Sequence, residues 1–331
     1  MTFDRLIGQK EVKNFLIETI QLKKISHAYL FSGAEGTGRK SFAEIFAKYL
    51  MCTGDEKPPC GECESCILSM SNTNPDIIRI KRAKKKASIG VEDIRFVQEE
   101  IATAPNHSRY KIIIFEEAEK MTVQAQNALL KTLEEPPSYI VIILISSNDL
   151  QLLDTVKSRI IKIDFKRYTN NEIIAVFKEK YPDKDIDYNV LCEYADGIMG
   201  RALSLAESDG YSKLSDEIIE SFYNLCDGKG KSLCDFEKVI AENAEKKELL
   251  FYVILSVLRD IMITNRYSRA VAIQNAQDAE KINRISEKID YHKAVECIEK
   301  VNETWKLLQK NVNYKLATDM LMIQLQEVIH G

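Results

Sequence analysis

Long apolar runs are missing from this 331-residue chain. None approaches the ~20 residues that a membrane-spanning helix requires, which argues against a helical membrane protein. The opening segment MTFDRLIGQKEV lacks the apolar core of a secretory signal, so a cytoplasmic location is expected. Charge of one sign is missing too: 46 Lys and Arg face 50 Asp and Glu, a net charge of −4. That balance excludes a general electrostatic grip on nucleic acid, and any DNA contact must be local or made by a partner. Proline nearly vanishes after Tyr168, and there is no internal repeat or low-complexity tail. What remains, 45% hydrophobic and 29% charged residues, is the composition of an ordinary globular protein. Its length suits two or three domains.

The most informative segment is a glycine loop, GAEGTGRKS, at residues 33–41. The phosphate-binding pattern G-x-x-x-x-G-K-[ST] fits from Gly33 to Gly38 and then fails. Arg39 stands where the lysine belongs, and Lys40 stands where a hydroxyl should hold Mg²⁺; the next hydroxyl is Ser41. Gly33, Gly36 and Gly38 can still cradle phosphate with backbone N–H groups. An ammonium at the hydroxyl position, however, repels a divalent metal. The loop therefore has the frame of an ATPase without its metal site, and it leaves ATP or ADP binding open.

Apolar runs at Ala28–Phe31, Asp76–Ile80, Lys111–Phe115 and Tyr139–Ile145 are continuous rather than alternating. This suits parallel strands covered by helices on both faces. Ser41–Leu50 has helical periodicity, so the glycine loop lies between a strand and a helix, as a phosphate loop requires. The first half thus reads as a doubly wound α/β domain. From about Tyr168 onward the periodicity is helical. Asp196-Gly197 and Met199-Gly200 punctuate a small helical unit, Asp227–Lys231 reads as a turn or linker, and the rest as a helical bundle.

Four of the eight cysteines, Cys52, Cys60, Cys63 and Cys66, follow the spacing C-x7-C-x2-C-x2-C. Four thiolates so close in a cytoplasmic chain predict a tetrahedral Zn²⁺ site, structural in role because no position is left for water. Cys192, Cys226, Cys234 and Cys297 are scattered through apolar segments and read as small buried hydrophobes.

Five further groups are candidates. The run IIIFEEAEK ends an apolar strand in acid and resembles a Walker B segment: Glu116 stands at the metal-carboxylate position and Glu117 at the water-polarising one. Glu116 is one methylene longer than the usual Asp, which displaces its carboxylate from a metal shell. Asn148, after the strand at 139–145, could contact a γ-phosphate; the same residues also read as a strand-end turn. Ser158-Arg159 could act in trans on a neighbour's nucleotide. Arg201, after Gly200 at a helix start, could reach a phosphate or lie solvated. The basic run Arg79, Lys81, Arg82, Lys84, Lys85, Lys86 reads as a solvated loop, with DNA phosphate contact as the minority reading.

The segment MTVQAQNALLKTLEEPP at 121–137 resembles the bacterial clamp-loader group of AAA+ proteins, as do HAYLFSG at 27–33, the four-cysteine insert and Ser158-Arg159. The resemblance covers about the first 205 residues strongly and the remainder by architecture. It implies three domains. These are an AAA+ RecA-like α/β domain over 1–166 with the four-cysteine zinc module at about 52–66, a helical lid over 167–208, and an all-α collar over 209–331 that mediates oligomerisation. Within the group, tau/gamma subunits hydrolyse ATP, whereas delta-prime subunits are partners that usually do not. The altered loop and Glu116 resemble the delta-prime kind, as does the length. In that case Arg159, with Ser158 before it, is the catalytic candidate, completing the ATP site of an adjacent subunit. Intrinsic ATPase activity is not expected. Implied partners are tau/gamma and delta subunits and, through the complex, the sliding clamp and primed DNA. Two other readings remain: a tau/gamma-like motor using Lys40-Ser41 in a shifted loop, and a zinc-dependent nucleic-acid-binding module.

Overall fold

The computed structural model describes residues 3, 6–54, 58–82, 86–182, 188–207, 210–226, 232–266, 279–310 and 312–330. By packing, the chain divides into two units, one of residues 1–182 with 195–202 and one of 183–194 with 203–331.

In the first unit the apolar runs form β1 (Ala28–Ser32), β2 (Ile77–Ile80), β3 (Lys111–Phe115), β4 (Ile140–Ser146) and β5 (Ile161–Asp164). All pair in parallel, in the order β2-β3-β4-β1-β5. The helices are α1 (Lys10–Gln21), α2 (Arg39–Met51), α3 (Glu64–Met70), α4 (Val91–Ile101), α5 (Val123–Glu134), the short α6 (Asp154–Lys157) and α7 (Asn170–Lys180). Successive strand residues point to opposite faces, and both faces are covered. Tyr29, Phe31, Ile112, Ile114, Val141 and Ile143 pack with Leu16 of α1 and Phe42 and Phe46 of α2. Ala28, Leu30, Ile113, Ile142 and Leu144 pack with Ile94 and Val97 of α4 and Leu129 of α5. This two-sided burial is why the strands read as unbroken apolar runs. The α/β expectation is met. Edge strand β5, with Ile163 as its one buried residue, is the strand the periodicity did not single out.

Side chains fix where the helices begin. Thr122 caps α5 by accepting the Ala125 N–H at 3.1 Å, and Thr169 with Glu172 forms a capping box on α7. Thr122→Ala should therefore cost about 1 kcal/mol, seen as a lower urea midpoint with unchanged slope.

The second unit is helical. It comprises most of α8 (Tyr188–Ala195) and the later part of α9 (Met199–Glu207), then α10 (Gly210–Cys226), α11 (Ser232–Glu242), α12 (Lys247–Arg266), α13 (Ala279–Ser286), α14 (Tyr291–Gln309) and α15 (Tyr314–His330). Its core is built on Leu250, Ile254, Val257 and Leu258 of α12, Cys297 and Val301 of α14, and Leu321 and Leu325 of α15. The expected linker at 227–231 lies outside the described residues. Cys192 and Cys297 are buried as expected, but Cys226 is only partly buried and Cys234 is exposed, because Cys234 falls on the outer side of α11. Among the described residues no helix is long and apolar enough to cross a membrane.

Candidate functional site

Because every strand is parallel, their C-terminal ends share one edge, where ligands bind in open α/β sheets. Register fixes the neighbours there: Ser32 pairs with Ser146, and Ile80 with Phe115. The glycine loop after β1, Glu116 after β3, Lys81 after β2 and Ser147-Asn148 after β4 are thus brought together from distant parts of the chain.

The loop bends through Gly36 at φ 82° and Gly38 at φ 91°, left-handed values that suit glycine. A side chain at Gly36 would also collide with Ile198, 2.5 Å from the ideal Cβ position. The Gly200 N–H donates to the Gly36 carbonyl at 2.9 Å, so the first turn of α9 rests on the loop, with half-buried Arg201 beside it. Tyr168, absent from the sequence candidates, is buried and donates its hydroxyl to the Thr37 carbonyl at 3.2 Å. Helix α2 starts at Arg39, and the Phe42 N–H bonds the Gly38 carbonyl at 2.9 Å. The helix therefore starts without the one-residue bulge that a shifted loop would need.

Lys40 and Glu116 meet. The Lys40 Nζ lies 3.0 Å from Glu116 Oε2, and Lys81 Nζ lies 3.0 Å from Oε1. Two ammonium groups thus share one carboxylate, at the place where a Walker B acid would serve Mg²⁺. No hydroxyl stands at position 40, and both Glu116 oxygens have an ammonium 3.0 Å away, although among the described residues Oε1 is buried without a hydrogen-bond partner; two cations at this carboxylate oppose Mg²⁺. Ser41 is exposed. Arg39 is buried, 8% exposed; burial lowers its pKa, with the charges of Glu119 and Glu35 opposing.

Within the basic run Lys81 and Lys86 are exposed, as a solvated loop requires, whereas Arg79 departs from that expectation. Arg79 makes two 2.7 Å hydrogen bonds to Glu44 of α2. Burial would raise the Glu44 carboxyl, but Arg79, Lys48 and Lys40 together hold it below its ordinary range. Arg82 lies 3.4 Å from Glu117 and donates to the Lys86 carbonyl at 3.1 Å. Lys84 and Lys85 lie outside the described residues. Periodicity cannot reveal the pairings with Glu44 and Glu117, since each joins residues 35 apart in the chain. Asn148 accepts the Leu150 N–H at 3.1 Å and so closes its own turn, while Ser147 donates to Glu119.

Ser158 and Arg159 lie at the other edge of the sheet, because they precede β5 whereas the glycine loop follows β1. The length of β5 alone separates its ends by roughly 10 Å at ~3.3 Å per residue. Arg159 pairs with Glu134 at 2.8 Å and donates to the Thr155 carbonyl at 3.0 Å and to Ser158 Oγ at 3.2 Å. Glu134 belongs to the LLKTLEEPP segment, and its role as partner of Arg159 was not visible in sequence.

The sulfurs of Cys52, Cys60, Cys63 and Cys66 all lie within 4.8 Å of one another. Ligands of a tetrahedral Zn²⁺ with ~2.3 Å bonds would be roughly 3.8 Å apart, so the cluster fits a metal. Backbone N–H groups of Cys60, Cys63 and Cys66 point at the preceding sulfurs at 3.3–3.4 Å. Burial raises the Cys63 thiol, but hydrogen bonds from Thr53 and Cys66 outweigh it and bring it to about 6. Burial pushes Cys66 up to about 12. Asn74 anchors α3 to the sheet by donating to Ser65 and Ser69.

Residues 8–169 match the family described as DNA polymerase III, delta subunit. The match takes in just under half of the chain. The chain is also homologous to tau/gamma subunits. It is 36% identical to DNA polymerase III subunit tau of Bacillus subtilis over 211 residues, 62% of this chain and 37% of that protein. To the tau subunit of Escherichia coli it is 30% identical over 254 residues, 74% of this chain and 39% of that protein. The chain thus spans less than half the length of these relatives. A DNA polymerase III gamma subunit-related protein of Thermotoga maritima covers 94% of this chain, and 98% of its own length, at 20% identity and a TM-score of 0.47.

Proposed function

We propose that this chain is the delta-prime, stator-type subunit of a bacterial clamp loader. In this reading it assembles with tau/gamma and delta subunits to load the sliding clamp onto primed DNA. It hydrolyses no ATP itself and supplies Arg159 to a neighbour's nucleotide. The observation that carries the reading is the Lys40–Glu116–Lys81 bridge, which fills the place of the metal with the chain's own cations. The position of Arg159 on the edge away from its own glycine loop supports an action in trans. The division into AAA+ domain (1–166), lid (167–208) and collar (209–331), a structural Zn²⁺ at the four cysteines and a cytoplasmic location belong to the same reading.

A second reading, an ATP-hydrolysing motor, is favoured by the homology to proteins named tau. Two measurements separate them. The isolated chain is expected to show no turnover above background with Mg²⁺-ATP, and to enter a stable complex when mixed with tau/gamma-type and delta-type subunits. A turnover of order 1 s⁻¹, typical of competent enzymes, that is lost in Lys40→Ala would establish the motor reading instead. Failure to join the complex would sink the stator reading.

A further inference from the structure

Ser65, Ser69, Asn74 and Asp76 are polar residues at most 4% exposed, placed between the four-cysteine insert and the start of β2. Their hydrogen bonds form one connected path. The Asn74 amide donates to the Ser65 carbonyl at 3.2 Å, to Ser65 Oγ at 3.0 Å and to Ser69 Oγ at 3.0 Å. Its oxygen accepts the Asp76 N–H at 3.0 Å. The Asp76 carboxylate, fully buried, accepts the Asn106 N–H on one oxygen and the His107 N–H on the other, both at 2.8 Å. Ser65 Oγ also meets Ser108 Oγ at 2.8 Å. The path therefore runs from α3 to the largely exposed loop over 102–109, between α4 and β3.

Helix α3 has only 7 residues, and isolated helices shorter than ~12–15 residues are marginal in water. It has to be held from outside. At its start the cap is Cys63, whose sulfur accepts the Cys66 N–H at 3.4 Å; Cys63 and Cys66 are two of the four convergent sulfurs. On its inner side the hold is Asn74. Ser65 precedes Cys66 in the chain, so a metal on Cys63 and Cys66 fixes the same turn that presents Ser65 to Asn74 and to Ser108. If α3 loosens, Asn74 loses three acceptors together. A buried polar group left without its partner is costly, so the members of such a network hold or give way as a unit.

We propose that the insert is a metal-responsive latch on the loop over 102–109. With Zn²⁺ on the cysteines, α3 and Asn74 hold Asp76 in place to receive the loop; without it the loop is released. Asn74 and Asp76 are positioning residues in this device. The exposed side chains of Asn106, His107 and Arg109 keep a fixed arrangement only in the metal-loaded chain. The latch rests on the reading of the four cysteines as a metal site and not on which subunit the chain is.

The test is hydrogen–deuterium exchange of the full chain, loaded with Zn²⁺ and then stripped by a chelator, with metal content measured in each state. Stripping is expected to speed exchange about tenfold over 58–71 and over 104–109, as local opening does, and to leave β1 and β4 unchanged. Asn74→Leu should loosen 104–109 in the loaded chain, and stripping should then change that loop little further. Weaker zinc binding in this variant would support the same coupling from the other side, because coupling is reciprocal. Fast exchange in β1 and β4 would show that Asn74→Leu fails to fold; Ser108→Ala, which removes one contact at the surface, then takes its place and should loosen the loop in part. Protection of 104–109 that is indifferent to stripping would overturn the latch, as would loosening that spreads to β1 and β4. So would a loop in the folded variant that is protected, and responds to stripping, as in the unaltered chain. Failure to take up stoichiometric Zn²⁺ would remove the metal reading and the latch together, whereas uptake with an unresponsive loop would remove the latch alone.

Discussion

Arg159→Ala, placed in an otherwise unaltered assembly with tau/gamma-type and delta-type partners, is expected to leave the chain folded and assembled while lowering the DNA- and clamp-stimulated ATPase of the whole. A guanidinium beside a developing γ-phosphate charge contributes ~10³–10⁵ in rate in related phosphoryl-transfer systems. An assembly has several sites, so the overall loss is smaller. The competing hold on Arg159 is its pair with Glu134, 2.8 Å apart with the two side chains 37% and 50% exposed. Pairs exposed to that degree are worth about 0–1 kcal/mol. A thousandfold rate effect corresponds to ~4 kcal/mol of transition-state stabilisation, so under the stator reading the pair with Glu134 is not expected to hold Arg159 back from a neighbour's nucleotide. Two further variants sharpen the test. Glu134→Gln should leave the rate unchanged or slightly raised, and Arg159→Lys should rescue poorly, because lysine keeps the charge but lacks the planar fork. Assemblies with Arg159→Ala that hydrolyse ATP and load clamps at the unaltered rate would return Arg159 to the role of a surface residue tied to Glu134.

Metal removal should have the second large effect. The purified chain is expected to hold one Zn²⁺ on Cys52, Cys60, Cys63 and Cys66, whose sulfurs already converge to within 4.8 Å. Apparent binding energies of structural zinc in small modules are about 10–16 kcal/mol at neutral pH, far above anything else that could order residues 52–66. Chelation, or Cys63→Ser, should therefore make this insert protease-sensitive. The sheet should stay folded, since β1 to β5 lie outside the insert and are buried against α1, α2, α4 and α5. Binding requires deprotonated sulfur, so zinc should be held less tightly as pH falls. Substoichiometric zinc with all four thiols freely titratable would overturn this expectation.

Much of this molecule follows from local pattern. The runs at 28–31, 111–115 and 139–145 are β-branched and aromatic without alternation, and only a strand covered on both faces tolerates that; the sheet they form is the expected one. The short spacing of Cys52, Cys60, Cys63 and Cys66 forces their sulfurs together whatever the rest of the chain does. The anomalies Arg39, Lys40 and Glu116 are likewise visible as departures from a motif of fixed spacing. What the sequence alone could not decide is which charges meet. Lys40 and Glu116 are 76 residues apart, and Lys81 joins them only because β2 lies beside β3 and ends level with it. The same register turns Arg79 from a member of a basic run into the partner of Glu44. Arg159 and Glu134 face one another because α5 and α6 both lead into strands from the same edge. Propensity and periodicity are properties of neighbours along the chain and survive in a linear reading. Electrostatic pairing depends on distances of roughly 3–4 Å between side chains that only strand order and register bring together, and so it was decided by the tertiary structure.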